Sequence, residues 1–499
     1  MLNEIVTSNL SVSMSSTASL SEAKRKLMET YRRGSAASAG LSRLITPRPE
    51  GAAIPTSLSQ EQLVLRETRT PGIAQLYNEC VTLRMRGPLD VHALERSLVS
   101  VIERHEIWRT SYDLSSGRPL QVVHAAPKEI SLEVVDLGSA TETRRPIEEK
   151  QVIEDLVRQP FDLKYGPLLR FRLVWLSDAE YKLFLIAHLS ILDGVSAYQI
   201  WPSELAALYR AYSSGRPSPL PALPIQFGDY AYWQRNQFQD EELRRQQSHW
   251  KRKLSGPIPV LDWPRNRPLI YERKSRGAIR PFTLSSALSD AVRDLSKREG
   301  VTLFVSLLAT YVALLFGYTE QQDIIVATPS PAGRKLSEVG KLLGYFLNPV
   351  ALRFDLTNNP TFRDLLRQAQ KVTLEAISND DVPLEWHAHE LQGESAPCEV
   401  APFTVAMSLQ PPMPKVDLEW SVTSMDFESG GSPWDLYIAF IDKQEGITGR
   451  AQFNPERFEE TTIDEAIRHF QRLLANFSLY PENRLSEAIH LLQDKANVA

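Results

Sequence analysis

The sequence is poor in cysteine, in long apolar runs and in excess charge of either sign. Its 499 residues include two cysteines, Cys80 and Cys398, too few for a disulfide framework or a cysteine-built zinc site, and a reducing cytoplasm is the simplest setting. No apolar run reaches the roughly 18 residues a spanning helix needs, so no membrane is expected as a partner. The opening MLNEIVTSNLSVSMSSTASL lacks a basic start followed by an apolar core, and does not read as a secretory signal. A formal net charge of -5, with no long basic patch, gives no field to concentrate nucleic acid. What is present is the composition of an ordinary globular chain, 42% hydrophobic and 23% charged, at a length that suggests two or three domains.

Taken in order, Ser19 to Gly34 reads as a short amphipathic helix and Ser35 to Pro55, rich in Ala, Ser, Gly and Pro, as a linker. Asp90 caps a helix whose residues Val91, Leu94, Leu98, Val101 and Ile102 share one face. Strands are expected at Pro119 to His124, Ile130 to Val135 and Leu168 to Leu176, with a helix at Ile147 to Val157 between them. A helix disturbed at Pro202 runs to Gly215, and another ends at Gly256. From Ala278 the order is strand, helix from Ser285, helix from Thr302, strand from Asp323. Four strand-like runs follow at Phe403 to Leu409, Val416 to Ser421, Leu436 to Asp442 and Ile447 to Phe453, and an amphipathic helix carrying Ile463, Ile467, Phe470, Leu473 and Leu474 closes the pattern.

The stretch that organises the rest is YKLFLIAHLSILDGVS, Tyr181 to Ser196. It reads as a buried strand ending in a polar turn, His188 to Gly194, before a helix begins at Val195. The spacing from His188 to Asp193 and Gly194 resembles the HHxxxDG signature of the condensation domains of nonribosomal peptide synthetases, relatives of chloramphenicol acetyltransferase. His188 falls on the first His; Leu189 stands where the family has the second, reacting His. Further stretches are similar to family motifs in the same order. These are SLSQEQLVL near Ser57, RHEIWRT from Arg104, FGDYAYW from Phe227, AGR at Ala332 to Arg334, GYFLNPVALR from Gly344, and Asp381, Pro383 and Glu385.

The resemblance implies an α/β fold of two chloramphenicol acetyltransferase-like lobes in a V-shaped pseudo-dimer. It divides the chain into a leader at 1–54, lobes at 55–265 and 266–488, and a tail at 489–499. It implies no intrinsic cofactor; the phosphopantetheine arm of a partner carrier protein brings the substrate. The partners implied are acyl or peptidyl carrier proteins or synthetase modules, and in degenerate members a tailoring enzyme. Amide or ester formation needs the thioester and acceptor aligned, a proton removed and an oxyanion stabilised. Leucine can take no proton, so a base must come from elsewhere.

Asp193 is expected to hold the turn by pairing with Arg334, and Gly194 to let backbone amides approach the reacting centre where the helix starts. Ser196 reads as a helix cap, and Asn348 matches the family's Asn beside the second-lobe strand. Strand alternation turns His188 away from position 189 and makes it an interior histidine; a bulge would instead bring it into the tunnel as a displaced base. His105, Trp108 and Arg109 read as packing and helix-end residues, and His387 and His389 as solvated or capping groups. Three functions stay open: a condensation enzyme with a non-standard site, a docking module that has lost its base, and an acyltransferase using acyl-CoA. A cyclising variant fits less well, since its DxxxxDxxS pattern departs at His188.

Overall fold

The computed structural model describes residues 44–237, 241–259, 261, 263, 277–383, 403–410, 418, 420–424 and 434–493. The expected helix at Ser19 to Gly34, most of the linker, Glu385, His387, His389 and Cys398 lie outside the described residues.

Fourteen strands are described. They are β1 (Ile54–Pro55), β2 (Asn78–Arg86), β3 (Thr110–Asp113), β4 (Leu120–Val123), β5 (Val134–Asp136), β6 (Leu169–Ser177), β7 (Glu180–His188), β8 (Ala278–Thr283), β9 (Asp323–Ser330), β10 (Asn348–Asp355), β11 (Val405–Gln410), β12 (Trp420–Ser424), β13 (Leu436–Lys443) and β14 (Gly446–Phe453). A small sheet orders β1-β4-β3, a five-stranded sheet β12-β2-β7-β6-β5, and a six-stranded sheet β10-β9-β11-β13-β14-β8. Helices cover the two larger sheets, and two large cores result, one N-terminal and one C-terminal. This is the expected pair of α/β lobes.

Local chemistry sets the helix ends. Ser57 and Gln60 form a capping box at the helix Leu58–Arg69, and the side chains of Asp90, Ser285 and Thr302 cap the helices that follow them. The helix Leu303–Thr319 is apolar on all sides and is buried from Val305 to Phe316, at the centre of the C-terminal core. Among the described residues no single helix is long and apolar enough to cross a membrane.

Three expectations are corrected. The strand foreseen at Ile130 to Val135 shrinks to β5, because the Leu132 amide donates to Glu95 Oε1 (2.8 Å) rather than to a ladder. The helix ending at Gly256 is two helices, Phe227–Gln237 and Glu241–Lys253. The run at Val416 to Ser421 does not complete the C-terminal sheet: β12 crosses over and pairs antiparallel with β2, Trp420 against Met85 through Ser424 against Val81.

The lobes also exchange packing. Val339, Leu342, Leu343 and Phe346, which follow the C-terminal strand β9, fill the N-terminal core, while Trp250, Leu254, Leu261 and Trp263 belong to the C-terminal one. A single cut at residue 265 therefore does not separate the two cores.

Candidate functional site

The site forms where β7 ends. Its ladder with β2 runs unbroken from Glu180 against Arg86 to His188 against Asn78, and the only register shift of β7 is with β6, near Trp175. The bulge that would have turned His188 into the crevice is absent.

His188 is fully buried. Its Nδ1 accepts the Ser190 amide (3.2 Å), which places the ring proton on Nε2, and Nε2 donates to Glu67 Oε2 at 2.7 Å. Ser190 Oγ lies 2.7 Å from Nδ1, and Tyr77 and Phe161 meet the ring edge-on. With both nitrogens held and no surface exposed, the imidazole anchors the turn. That geometry supports the interior histidine, of the two roles expected for His188, over the displaced base.

Leu189 opens a single 3₁₀ turn, Leu189–Ile191, made as the strand stops. Its side chain is half-buried against an apolar cluster of Leu63, Ile73, Leu76, Tyr77 and Tyr345, with Leu347 beside it. Tyr345 and Leu347 come from the segment that follows β9, so the leucine sits on a seam between the lobes.

Asp193 is the organising group. One oxygen accepts the Ser196 amide (2.7 Å) and so caps the helical turn that starts at Gly194. The same carboxylate receives Arg334 twice, Nη2 to Oδ1 at 2.8 Å and Nε to Oδ2 at 3.0 Å, and the Phe346 amide at 3.3 Å. Arg334 also donates to the carbonyls of Val339 and Leu342, and its guanidinium lies 4.0 Å from the Phe346 ring centre. The pair is almost wholly buried, and each lone pair and N–H that burial would otherwise strand has a partner.

Ser196 is not the cap. Its hydroxyl donates to the Gly344 carbonyl (3.1 Å) and accepts from the Gly344 amide (3.0 Å) and Arg334 (2.8 Å), tying the turn to the other lobe. The helix passes through a π turn, Ser196–Ile200, before the α-helix Trp201–Tyr212. Pro202 explains it, since proline supplies no amide to the helical ladder.

Gly194 and Val195 open this helix, so their amides have no partner within it and can face a developing negative charge. A Cβ on Gly194 would stand 3.0 Å from Gln410 Oε1 of β11, which places the turn against the C-terminal sheet. Asn348 is structural: Nδ2 donates to the carbonyls of Asp380 (2.6 Å) and Val382 (2.9 Å). His105 is a buried helix-end group bonded to Glu204 (2.8 Å), and Trp108 is core. Sequence reasoning missed Glu67 and Ser190, because a lone acid on a helix and a serine in a turn carry no signal until the fold brings them to His188.

Comparison with known proteins follows the same geometry. The model of the condensation domain family matches residues 54–498. A linear gramicidin synthase of Brevibacillus parabrevis is 35% identical over 459 residues, 91% of this chain and 6% of that protein. Phosphinothricin tripeptide synthetase PhsC of Streptomyces viridochromogenes is 31% identical over 451 residues, 90% of this chain and 41% of that protein. This chain thus spans only a minor part of these relatives. Among solved structures, the complex of the X-domain and OxyB from teicoplanin biosynthesis matches with a TM-score of 0.77 at 25% identity, covering 89% of this chain and 98% of that one. The first condensation domain of the calcium-dependent antibiotic synthetase, solved with a substrate analogue, shares the fold with a TM-score of 0.75 at 19% identity, covering 88% and 99%.

Proposed function

This chain belongs to the condensation domain family, and from that premise we propose that it joins carrier-tethered acyl or peptidyl thioesters to an amine or hydroxyl in nonribosomal peptide biosynthesis, with no imidazole at position 189. The observation that carries this reading is the Asp193–Arg334 pair, which fixes the Gly194 turn between the two lobes. A helix start held rigidly at a crevice offers preorganised amides to the oxyanion of the tetrahedral intermediate. Alignment of two tethered reactants supplies much of the remainder, on the order of 7–11 kcal/mol in well-oriented systems. The phosphopantetheine arm comes with the partner carrier protein, and the chain contributes no cofactor of its own. A sequence with only two cysteines suits a cytoplasmic setting.

A second reading has its own support. Leu189 packs into an apolar seam, and the X-domain structure that this chain resembles was solved in complex with OxyB. In that reading the crevice is retained as architecture, and the surface docks carrier proteins or recruits a tailoring enzyme.

The test is to mix the chain with donor-loaded and acceptor-loaded carrier proteins and read the acceptor by mass spectrometry. Acyl transfer to the acceptor supports the enzyme. Carrier binding without transfer supports the docking module.

A further inference from the structure

A carboxylate near the turn has no part in the mechanism so far. On β2, Asn78 turns its side chain to the carbonyls of Val157 and Gln159, so alternation sends Glu79, paired with Ala187, to the opposite face. Glu79 is half-buried there, one residue short of the strand end that carries His188. The charge acting on it comes from Arg450 of β14, on the other lobe, and Tyr198 and Tyr437 feel it in turn.

The C-terminal sheet turns a polar face toward the Gly194 turn. Ser408, Gln410, Tyr437, Arg450 and Gln452 share one side of β11, β13 and β14, while Met407, Ile438, Phe440, Ala451 and Phe453 point into the core. Ser408 Oγ and Tyr437 OH lie 2.6 Å apart, and Gln410 Nε2 donates to Ser408 Oγ (3.2 Å) while its Oε1 approaches Gly194. Arg450 is 7% exposed; it donates to Gln452 Oε1 (3.1 Å), and its buried Nε has no partner among the described residues. A guanidinium buried at this seam is costly to desolvate and adds little stability over an apolar group. Such groups in a cleft point to function.

We propose that Glu79 is the group that takes the proton from the attacking amine, supplying from β2 what Leu189 cannot, with Arg450 tuning its charge. The assignment rests on the acyl-transfer reading above. As the amine nitrogen bonds to the thioester carbon, its proton passes to the Glu79 carboxylate. The carbon–sulfur bond then breaks, the departing sulfur takes the proton from Glu79, and the carboxylate is restored with amide and thiol as the only products. Burial raises the Glu79 pKa, which strengthens it as a base, and Arg450 opposes that rise. The other titratable groups acting with it are Tyr198 and Tyr437; Cys80, His188 and Glu67 lie on the far side of the sheet.

The experiment uses the whole chain with acyl-pantetheine donors and a panel of aminoacyl-pantetheine acceptors, read by single-turnover mass spectrometry across pH. Glu79→Gln is expected to slow amide formation about 100-fold or more and to abolish the acid limb of the profile. Glu79→Asp is expected to keep that limb with a smaller loss, Arg450→Met to move it to higher pH, and Leu189→His to restore turnover to Glu79→Gln. Circular dichroism melting checks that each variant is folded. A Glu79→Gln protein with parental rate and pH profile overturns the assignment and leaves the acyl-transfer reading intact. Amide from Leu189→His with none from the parent overturns both.

Discussion

Arg334 grips Asp193 at both carboxylate oxygens, 3.0 and 2.8 Å away, across 141 residues of sequence and from one lobe to the other. Removing one partner strands the other as a buried charge. Arg334→Met is therefore expected to cost about 3–5 kcal/mol in urea unfolding. The double variant Arg334→Met with Asp193→Asn should lose clearly less than the two single losses added together, the mark of a direct pair. Strict additivity would show that the two act independently.

His188 is assigned to holding the turn, so its removal should separate stability from chemistry. His188→Ala leaves a cavity and an unpaired Glu67, and is expected to lower unfolding free energy by about 3 kcal/mol. Amide formed per folded molecule should stay within about threefold of the parent. A loss of about 100-fold or more in a folded His188→Ala protein would return the histidine to the role of base.

Gly344 joins the lobes at a position only glycine fills. Its φ is +153°, and a Cβ there would run into the Phe227 ring, while Ser196 bonds both its amide and its carbonyl. Gly344→Ala is expected to cost about 3 kcal/mol or more by thermal or urea unfolding. Gly256→Ala, at a positive φ but with open space around it, should cost less.

Asp380 gives the fold a pH signature. It is fully buried, with Lys335 and Ser330 against its carboxylate, and burial pushes its pKa up from 3.8 to about 6 while Lys335 pulls the other way. A group raised in the folded state binds more protons there than when unfolded between those two values. Its contribution is thus complete below about pH 4 and is lost as pH rises through 6. The stability difference between parent and Asp380→Asn, measured by urea unfolding, should shrink from pH 4 to 6 and stay level above. A difference that grows over that window would reverse the sign.

The sequence made the elements legible wherever periodicity and caps agreed. The Asp90 and Thr302 helices, β7 and the closing helix Glu460–Leu479 follow from apolar spacing and, for the first, a capping side chain at the expected position. The Asp193–Arg334 pair was legible only through resemblance, since nothing local to either residue names a partner 141 positions away. What stayed hidden was long-range. The strand β12 reads like its neighbours and yet pairs with β2, because β-propensity does not say which sheet a strand joins. Ser196 looked like a cap because serine commonly caps helices, but Asp193, three residues earlier, already fills that place and frees the hydroxyl for Gly344. Glu79 gave no signal at all. A single acid on a strand that also carries Asn78, Thr82, Arg84 and Arg86 gains meaning only when the charge of Arg450, on the other lobe, is found to act on it.

The most direct test of a crevice built around the Gly194 turn is a crystal structure of this chain with a donor-arm analogue, an acyl-pantetheine whose thioester is replaced by an amide. The arm is expected to thread between the lobes, its carbonyl oxygen within hydrogen-bond distance of the Gly194 or Val195 amide, with Leu189 against the acyl chain and the Asp193–Arg334 pair unbroken. An arm bound outside the crevice, or His188 swung away from Glu67 onto the reacting carbon, would contradict it.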